Sequence, residues 1–310
     1  MNVHTLDCDY MGPGVAAAYL LHDGDEAAFV ETNTSRAVPK LLDALAAAGL
    51  SAEQVRYVVV THIHLDHAGG AGALMQHLPN ATLLAHPRAA PHAIDPSRIV
   101  AGATEVYGAD RFAGLYGDVV PVPAERVRAL DDDATVPFGH TTLRFLHTRG
   151  HANHHFCVLD EGGGGIFTGD SFGIVYPALQ AEGLFAFPST SPTDFDGPAA
   201  LASIRRIVGT GAETAWLTHF GPQRDLRGIA SQMTTMLEAS MALVHRAEGL
   251  EDAELDGFFA REVQAVFDAK VGRAQLPDDA DRWLALDIDL NAQGLAFAVR
   301  KARYKASVAP

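Results

Sequence analysis

Short apolar blocks alternate with amphipathic stretches along the first two thirds of the chain. The apolar blocks 15–21 and 27–31 flank an Asp-Gly pair, a pattern that predicts a β-hairpin. Residues 36–49 repeat leucine and alanine at helical spacing behind a proline, which predicts an amphipathic helix that stops at Gly49. Strand-like and helix-like segments in alternation predict an α/β fold.

The alternation continues in the middle of the chain. A helix is predicted over 71–78 and a strand over 82–85, and β structure returns at 127–148. Between them, residues 86–118 form a long insertion whose aromatic residues, Tyr107 among them, stand at roughly helical spacing. Two interpretations of the insertion stay open: a helix pair packed on the core, or a lid whose aromatic side chains line a substrate pocket.

The last third of the chain reads as helix alone. Three helical segments are predicted, at 226–248, 251–271 and 279–301, and the first carries a stripe of methionine and leucine. Such a stripe indicates core packing or a subunit interface, so a homodimer contact stays open. We therefore predict a catalytic domain at 1–222 and a helical region at 223–310.

Candidate metal chemistry is concentrated directly after the apolar run 58–60. Four metal-ligand side chains fall within six residues there: His62, His64, Asp66 and His67. We expect a strand that ends in a tight loop reaching Gly70, because such a loop can direct several short side chains at one point. Imidazole and carboxylate donors in this mixture favour Zn²⁺, Fe or Mn over Ca²⁺ or Mg²⁺.

The order of strand and then ligand recurs three more times. His151, Asp170 and His219 each stand at the end of, or shortly after, a run of strand-forming residues. A lone His-rich surface loop could bind metal by accident. The order of strand and ligand is instead repeated at three further strand ends. This repetition predicts that all of these side chains belong to one metal centre.

These motifs resemble those of the metallo-β-lactamase-fold hydrolase superfamily, over residues 1–222. The resemblance implies an αββα sandwich of two sheets between helices, followed by a helical appendage. It implies two metal sites, with Asp170 as a ligand of both; the first is made by His62, His64 and His151 and the second by Asp66, His67 and His219.

Two positions depart from the pattern of the superfamily. Glu31-Thr32-Asn33 stands where relatives usually carry Asp-Thr-Gly, and Gly173 stands where lactonase relatives commonly place a tyrosine. Because of the first departure, the hydrogen-bond partners of residues 31–33, which follow the second strand of the hairpin, stay open. The second weakens an assignment to lactones alone.

The resemblance also implies a reaction. Two divalent ions, zinc first with iron or manganese as alternatives, would share a hydroxide that attacks a carbonyl, and Asp66 would orient it as the catalytic carboxylate. No general acid is identifiable, which favours a good leaving group in a thioester, ester or lactone. The rival is a mononuclear Fe(II) enzyme resembling persulfide dioxygenases, with His62, His151 and Asp170 as its triad.

Substrate contacts are predicted from aromatic residues near these ligands. The loop after Asp170 is rich in apolar residues and suggests a hydrophobic wall, although packing over the core explains it equally well. His154 is the candidate for orienting a ligand or a substrate group. The predicted substrate-contacting residues are Phe172, Tyr176, Phe185, Phe187, Tyr107 and His154.

The composition and net charge of the chain exclude some classes of binding partner. The 310 residues are 48% hydrophobic, enough for a large core, and the formal charge of −15 repels a phosphate backbone, which argues against nucleic acid. The sequence has neither an apolar run of transmembrane length nor the features of a signal peptide. We expect a cytoplasmic enzyme with a small-molecule substrate, no membrane contact, and reduced, buried thiols at Cys8 and Cys157.

Overall fold

The computed structural model describes residues 1–192, 194–271 and 280–308. The chain forms two compact units. The first, the sandwich unit, comprises Met1–His147, His154–Gly169 and Thr210–Arg224. The second, the helical unit, comprises Thr148–Asn153, Asp170–Gly209 and Asp225–Pro310. The predicted domain boundary after residue 222 stays a prediction.

The sandwich unit contains two six-stranded sheets. The first sheet has its strands in chain order: β1 (Asn2–Asp7), β2 (Ala17–Asp23), β3 (Glu26–Val30), β4 (Val55–Val59), β5 (Thr82–Ala85) and β6 (Val127–Ala129). The predicted hairpin is confirmed, since β2 and β3 are antiparallel. From β3 to β6 each strand is parallel to the next, so their carboxyl ends lie at one edge of the sheet.

The second sheet is mostly antiparallel. Its strands are β7 (Thr135–Phe138), β8 (Thr141–His147), β9 (Phe156–Asp160), β10 (Gly165–Gly169), β11 (Thr214–Leu217) and β12 (Gly221–Gln223). Sequence neighbours pair along the sheet, and only β10 and β11 run parallel. The residues that follow β10 and β11 in the chain therefore leave the sheet at the same edge.

One hydrophobic core joins the two sheets. Tyr19 and Leu21 from the first sheet belong to the same buried cluster as Phe145, Phe156 and Phe167 from the second. These side chains are almost wholly buried, and burying each one stabilises the fold by about 1.5–3 kcal/mol. Successive strand residues point to opposite faces, so the alternation read in the sequence becomes the inner and outer faces of the sheets.

Helices cover the outer face of the first sheet. The predicted helix over 36–49 is a 3₁₀ turn, Ser35–Ala37, followed by α1 (Val38–Ala47), and the left-handed Gly49 comes two residues after the helix. Leu41 and Leu45 of α1 share a core with Phe29 and Val58 of the sheet. The remaining helices of this unit are α2 (Leu65–Ala68), α3 (Ala71–Met75), α4 (Ala90–Ile94), α5 (Ser97–Tyr107) and α6 (Ala109–Tyr116).

The described residues of the helical unit form four α-helices: α7 (Gly197–Gly209), α8 (Leu226–Arg246), α9 (Asp252–Lys270) and α10 (Ala280–Ser307). The last three confirm the predicted helical segments, apart from residue 279, which lies outside the described residues. Asp225 caps α8 by accepting a hydrogen bond from the Gly228 amide at 2.9 Å, and Glu251 opens α9 in a capping box. Within the described part of the chain, no helix has the length and apolarity needed to cross a membrane.

We predict that Gly72→Ala lowers the free energy of unfolding by about 1–3 kcal/mol, because the new methyl group would overlap the backbone carbonyl of Val120. Gly102→Ala is the matched control: Gly102 lies in α5 with no neighbour within reach of the added methyl group. Alanine at position 102 should raise the free energy of unfolding by about 0.5–1 kcal/mol, because it favours the helix more than glycine does. Urea unfolding of both variants measures the difference, and equal stability would contradict the packing at Gly72.

Candidate metal centre

The ligand-bearing loop begins directly after β4. His62 lies in a bend, and His64, with extended backbone, precedes the single helical turn of α2, which contains Asp66 and His67. The expectation of a loop as far as Gly70 was therefore wrong for residues 65–68. The amides of His67 and Ala68 donate to the His64 carbonyl at 3.0 and 2.9 Å, and these bonds close the turn.

His62 and His64 direct ring nitrogens at each other. The distance from His62 Nε2 to His64 Nδ1 is 2.9 Å. The other nitrogen of His62, Nδ1, lies 3.1 Å from the Thr61 hydroxyl. Because that hydroxyl donates its proton to Glu31, it must accept from His62 Nδ1, so the Nδ1 proton is held by Thr61 and Nε2 is the nitrogen that faces His64.

A second group of ligand atoms forms around Asp66. Its Oδ2 lies 3.4 Å from His219 Nε2 and 3.7 Å from His67 Nε2. His219 Nδ1 donates to the Val15 carbonyl at 2.7 Å, so its Nε2 presents a lone pair to the group. One ligand atom from each of Asp66, His67 and His219 lies within 4.8 Å of the others. Two neutral imidazoles and one carboxylate are a donor set that fits a divalent transition metal.

Glu31 is the residue at this centre that the sequence analysis did not assign. It follows β3, is fully buried and has a left-handed backbone at φ 66°. Its Oε1 accepts from Thr61 Oγ1 at 2.5 Å, from His67 Nδ1 at 3.0 Å and from Thr218 Oγ1 at 3.2 Å. By holding the proton of His67 on Nδ1, the carboxylate turns His67 Nε2 toward Asp66.

A signal for Glu31 was present in the sequence. A glutamate that ends an apolar strand is buried, and a buried carboxylate requires hydrogen-bond donors. The unusual Glu31-Thr32-Asn33 segment marked the position. The donors themselves come from residues 30, 36 and 187 positions away, so they could not be named without the fold.

The helical unit contains the other two predicted ligands. His151 Nε2 lies 3.4 Å from Asp170 Oδ2, and both side chains are buried. His151 Nδ1 donates to the Ser189 carbonyl at 3.0 Å, which holds the ring with Nε2 toward Asp170. Gly150, with φ 130°, precedes His151 and has no room for a side chain against Ala200.

The aromatic residues after Asp170 pack inside the helical unit. Phe172, Tyr176 and Phe187 are almost fully buried, and Phe185 is 6% exposed. Phe187 contacts Phe267 of α9 with ring centroids 4.9 Å apart, and Tyr176 contacts Trp283 of α10 at 4.8 Å. Core packing therefore accounts for these side chains, and their predicted contact with substrate stays a prediction.

The insertion 86–118 is helical, as predicted, and lies on the ligand-bearing loop. Phe112 and Tyr116 of α6 form a buried cluster with Leu65, the neighbour of Asp66, and the Tyr107 ring lies 5.8 Å from that of Tyr116. Burial raises the pKa of the Tyr116 phenol, and the nearby Tyr10, Tyr107 and Asp66 raise it further. The phenol therefore stays protonated; whether the insertion acts as a lid stays a prediction.

Two further histidines, His154 and His155, lie beside the loop and are not in its ligand groups; the His155 ring lies 4.9 Å from that of His62. His154 has its ring 5.6 Å from that of His64, and its Nδ1 faces the Ile63 amide at 3.5 Å. The ring centroids of His86 and His147 are 4.1 Å apart. Burial, and to a lesser extent the neighbouring His147, lowers the pKa of His86 to about 3. His86 is thus neutral at physiological pH, as expected for a core histidine.

Comparison with known proteins adds to this geometry. A family model described as the metallo-beta-lactamase superfamily matches residues 11–219. A metallo-beta-lactamase fold-containing protein of Sulfurisphaera tokodaii is 24% identical over 172 residues, which are 54% of this chain and 62% of that protein. A hydroxyacylglutathione hydrolase of Cupriavidus taiwanensis is 31% identical over 156 residues, 49% of this chain and 47% of the hydrolase.

A third relative and a solved structure complete the comparison. An atrochrysone carboxyl ACP thioesterase of Aspergillus chevalieri is 28% identical over 154 residues, 49% of this chain and 39% of the thioesterase. The chain thus spans less than two thirds of each of these three relatives. The crystal structure of an archaeal metallo-beta-lactamase superfamily protein from Sulfolobus tokodaii aligns with TM-score 0.66 and 20% identity, over 95% of this chain and 98% of that one. At this identity the structural likeness shows the fold.

We predict that Glu31→Gln lowers zinc affinity about 10–100-fold, because an amide in place of the carboxylate no longer fixes the proton on His67 Nδ1. The affinity is measured by competition with a chromophoric chelator. Glu105→Gln, on the exposed side of α5, should leave it unchanged.

The variant Thr218→Val distinguishes the role of Glu31 in orienting His67 from its role in stabilising the fold. It removes one hydroxyl from Glu31 but keeps the bonds of the carboxylate to His67 and Thr61. Unfolding free energy should fall while zinc affinity stays near that of the starting protein. If Glu31→Gln is folded and binds zinc as tightly as Glu105→Gln does, Glu31 does not orient the ligands.

Proposed function

Because the chain belongs to the metallo-beta-lactamase superfamily, we propose that it is a metal-dependent hydrolase that cleaves a thioester, ester or lactone bond with two divalent ions. The observation that carries the proposal is the orientation of the imidazoles around Asp66. His67 and His219 each have Nδ1 bonded to an acceptor, so their Nε2 atoms present lone pairs to a single point.

The proposed ligands follow the pattern of the superfamily. The first ion would be held by His62, His64 and His151, the second by Asp66, His67 and His219, and Asp170 would bind both. Zinc is the proposed metal, since it suits imidazole and carboxylate donors. Bound divalent ions lower the pKa of water and polarise a carbonyl, which is the chemistry that hydrolysis of an acyl bond requires.

Asp66 and Glu31 would have separate tasks in this reaction. The Asp66 carboxylate is 24% exposed, so it can accept a hydrogen bond from the attacking water and direct a water lone pair at the carbonyl. Glu31 is fully buried, and its Oε1 accepts from Thr61, His67 and Thr218. It would act as a positioning residue that keeps His67 in one tautomer.

A thioester is the first substrate class to test. The absence of an identified general acid favours a leaving group that departs without protonation, and a thiolate does so more readily than an alkoxide or an amine. The names of two relatives also support a thioester substrate, since one is a hydroxyacylglutathione hydrolase and the other a thioesterase. The net charge of −15 favours a small substrate over a nucleic acid.

We predict that His219→Ala lowers thioester hydrolysis at least about 100-fold, because removing a direct ligand should cost more than removing a residue that orients one. Hydrolysis is followed by thiol release from a panel of acyl thioesters, with lactones and esters alongside. His245→Ala, whose side chain is 81% exposed on α8, is the matched control and should keep full activity. Equal turnover in both variants would rule out hydrolysis at this centre.

We predict that protein purified without added metal contains two zinc ions per chain and loses hydrolysis after dialysis against a chelator. Readdition of zinc should restore it, because the ligands are deprotonated donors that the fold keeps oriented. Elemental analysis and an oxygen electrode test the rival assignment in the same sample. One iron per chain, with oxygen uptake in the presence of a persulfide, would replace hydrolysis by a dioxygenase reaction.

A further inference from the structure

Two hollows in the helical unit share the ring of Pro188. The first has a volume of about 10 Å³ and is lined by His151, Asp170 and Ser171 and by Met233 and Leu237 of α8. The second has a volume of about 50 Å³ and lies among α8, α9 and α10. Its walls are mostly apolar, and Thr190, Ser240 and Asn291 are the polar residues among them. We call the two together the acyl channel; its second hollow is lined by Met236, Ala239, Leu243, Val266, Phe267 and Leu295.

One face of α8 runs along the whole acyl channel. Met233 and Leu237 line the hollow beside His151 and Asp170, and Met236 and Leu243 line the hollow beyond Pro188. With a rise of 1.5 Å per residue, Met233 and Leu243 are about 15 Å apart along the helix axis. The methionines are unbranched and adaptable, so they can make room for a chain without disturbing the helix.

Two of the three polar residues in the wall of the second hollow, Thr190 and Asn291, bond to each other. The Thr190 hydroxyl lies 2.7 Å from Asn291 Oδ1, and the Thr190 amide donates to the same oxygen at 2.7 Å. The Asn291 side-chain amide donates to the Asp287 carbonyl at 2.9 Å. The Thr190 and Asn291 atoms are thus already satisfied, and with most of the wall apolar the group that fills the hollow is held mainly by apolar contact.

The size of the second hollow restricts its occupant. Packed protein interiors leave few voids larger than a water molecule, and this one is several times larger. A cavity of about 150 Å³ accommodates benzene, so one of about 50 Å³ holds roughly two to four carbon atoms. A narrow apolar space of this kind fits the end of an unbranched chain better than a ring.

We propose that the acyl channel binds a short unbranched acyl chain of the substrate, with the carbonyl beside His151 and Asp170 and the chain end beyond Pro188. The inference rests on the proposed function, since it assigns the acyl part of that substrate. It selects simple aliphatic thioesters and esters over aromatic, branched or strongly polar acyl groups.

Straight-chain methyl ketones, from 2-butanone to 2-decanone, test the acyl channel without turnover, because they carry the acyl carbonyl but no leaving group. NMR titration of the full chain should show affinity that rises with chain length and then levels off. In Ala239→Leu the added side chain fills the second hollow from its exposed end. The affinity for the longer ketones should fall about tenfold, the loss expected when about two methylene groups remain in water.

Ala242→Leu is the matched control, because Ala242 is an exposed alanine of the same helix that does not line the channel. It should bind the ketones as the starting protein does. Met236→Ala enlarges the hollow and should move the preferred chain length upward in both ketone binding and thioester hydrolysis. Circular dichroism melting verifies that each variant is folded.

The possible outcomes distinguish a failure of the acyl-channel proposal from a failure of the proposed hydrolysis. Weaker ketone binding in Ala239→Leu but not in Ala242→Leu supports the channel, even if no thioester is hydrolysed. Equal ketone binding in the two variants, with thioester hydrolysis intact and its chain-length preference unchanged, overturns the channel and leaves the hydrolase assignment in place. An unchanged preference in Met236→Ala overturns the channel as well.

Discussion

The buried carboxylate of Glu31 is the interaction on which the sandwich unit's ligand groups depend. It bonds to residues that follow β4 and β11 and to His67 in α2, so one side chain ties together both sheets and the ligand-bearing turn. Without it, two hydroxyls and an imidazole N–H would be buried without an acceptor, at about 1–3 kcal/mol each. The same bonds determine tautomers. Glu31 acts directly on His67 and, through the Thr61 hydroxyl, on His62.

Family membership identifies the scaffold and the class of ligand, whereas the substrate is determined by side chains that vary around the centre. In this chain two groups of side chains lie beside ligand residues. The aromatic cluster of α6 lies against Leu65 in the sandwich unit, and the apolar hollows lie beside His151 and Asp170 in the helical unit.

Much of the fold was predictable from residues close together in the chain. The β2–β3 hairpin, the helix after it, the helical insertion and the three C-terminal helices all follow from local periodicity and turn chemistry. The ligand groups at His62, His64, Asp66 and His67 were visible for the same reason, since they share one short segment. The helical turn of α2 was missed, because four residues are too few to show a period.

The sequence alone determined the layered α/β architecture and the chemical type of the centre, since both follow from short-range patterns and from the types of donor side chain. The tertiary structure alone decided what Glu31 bonds to, how the aromatic residues after Asp170 pack, and where the helical unit leaves apolar space. Those features depend on atoms brought together from distant positions, Glu31 and Thr218 being 187 residues apart. The spacing of residues along a chain carries no record of such contacts or of the volume left between helices.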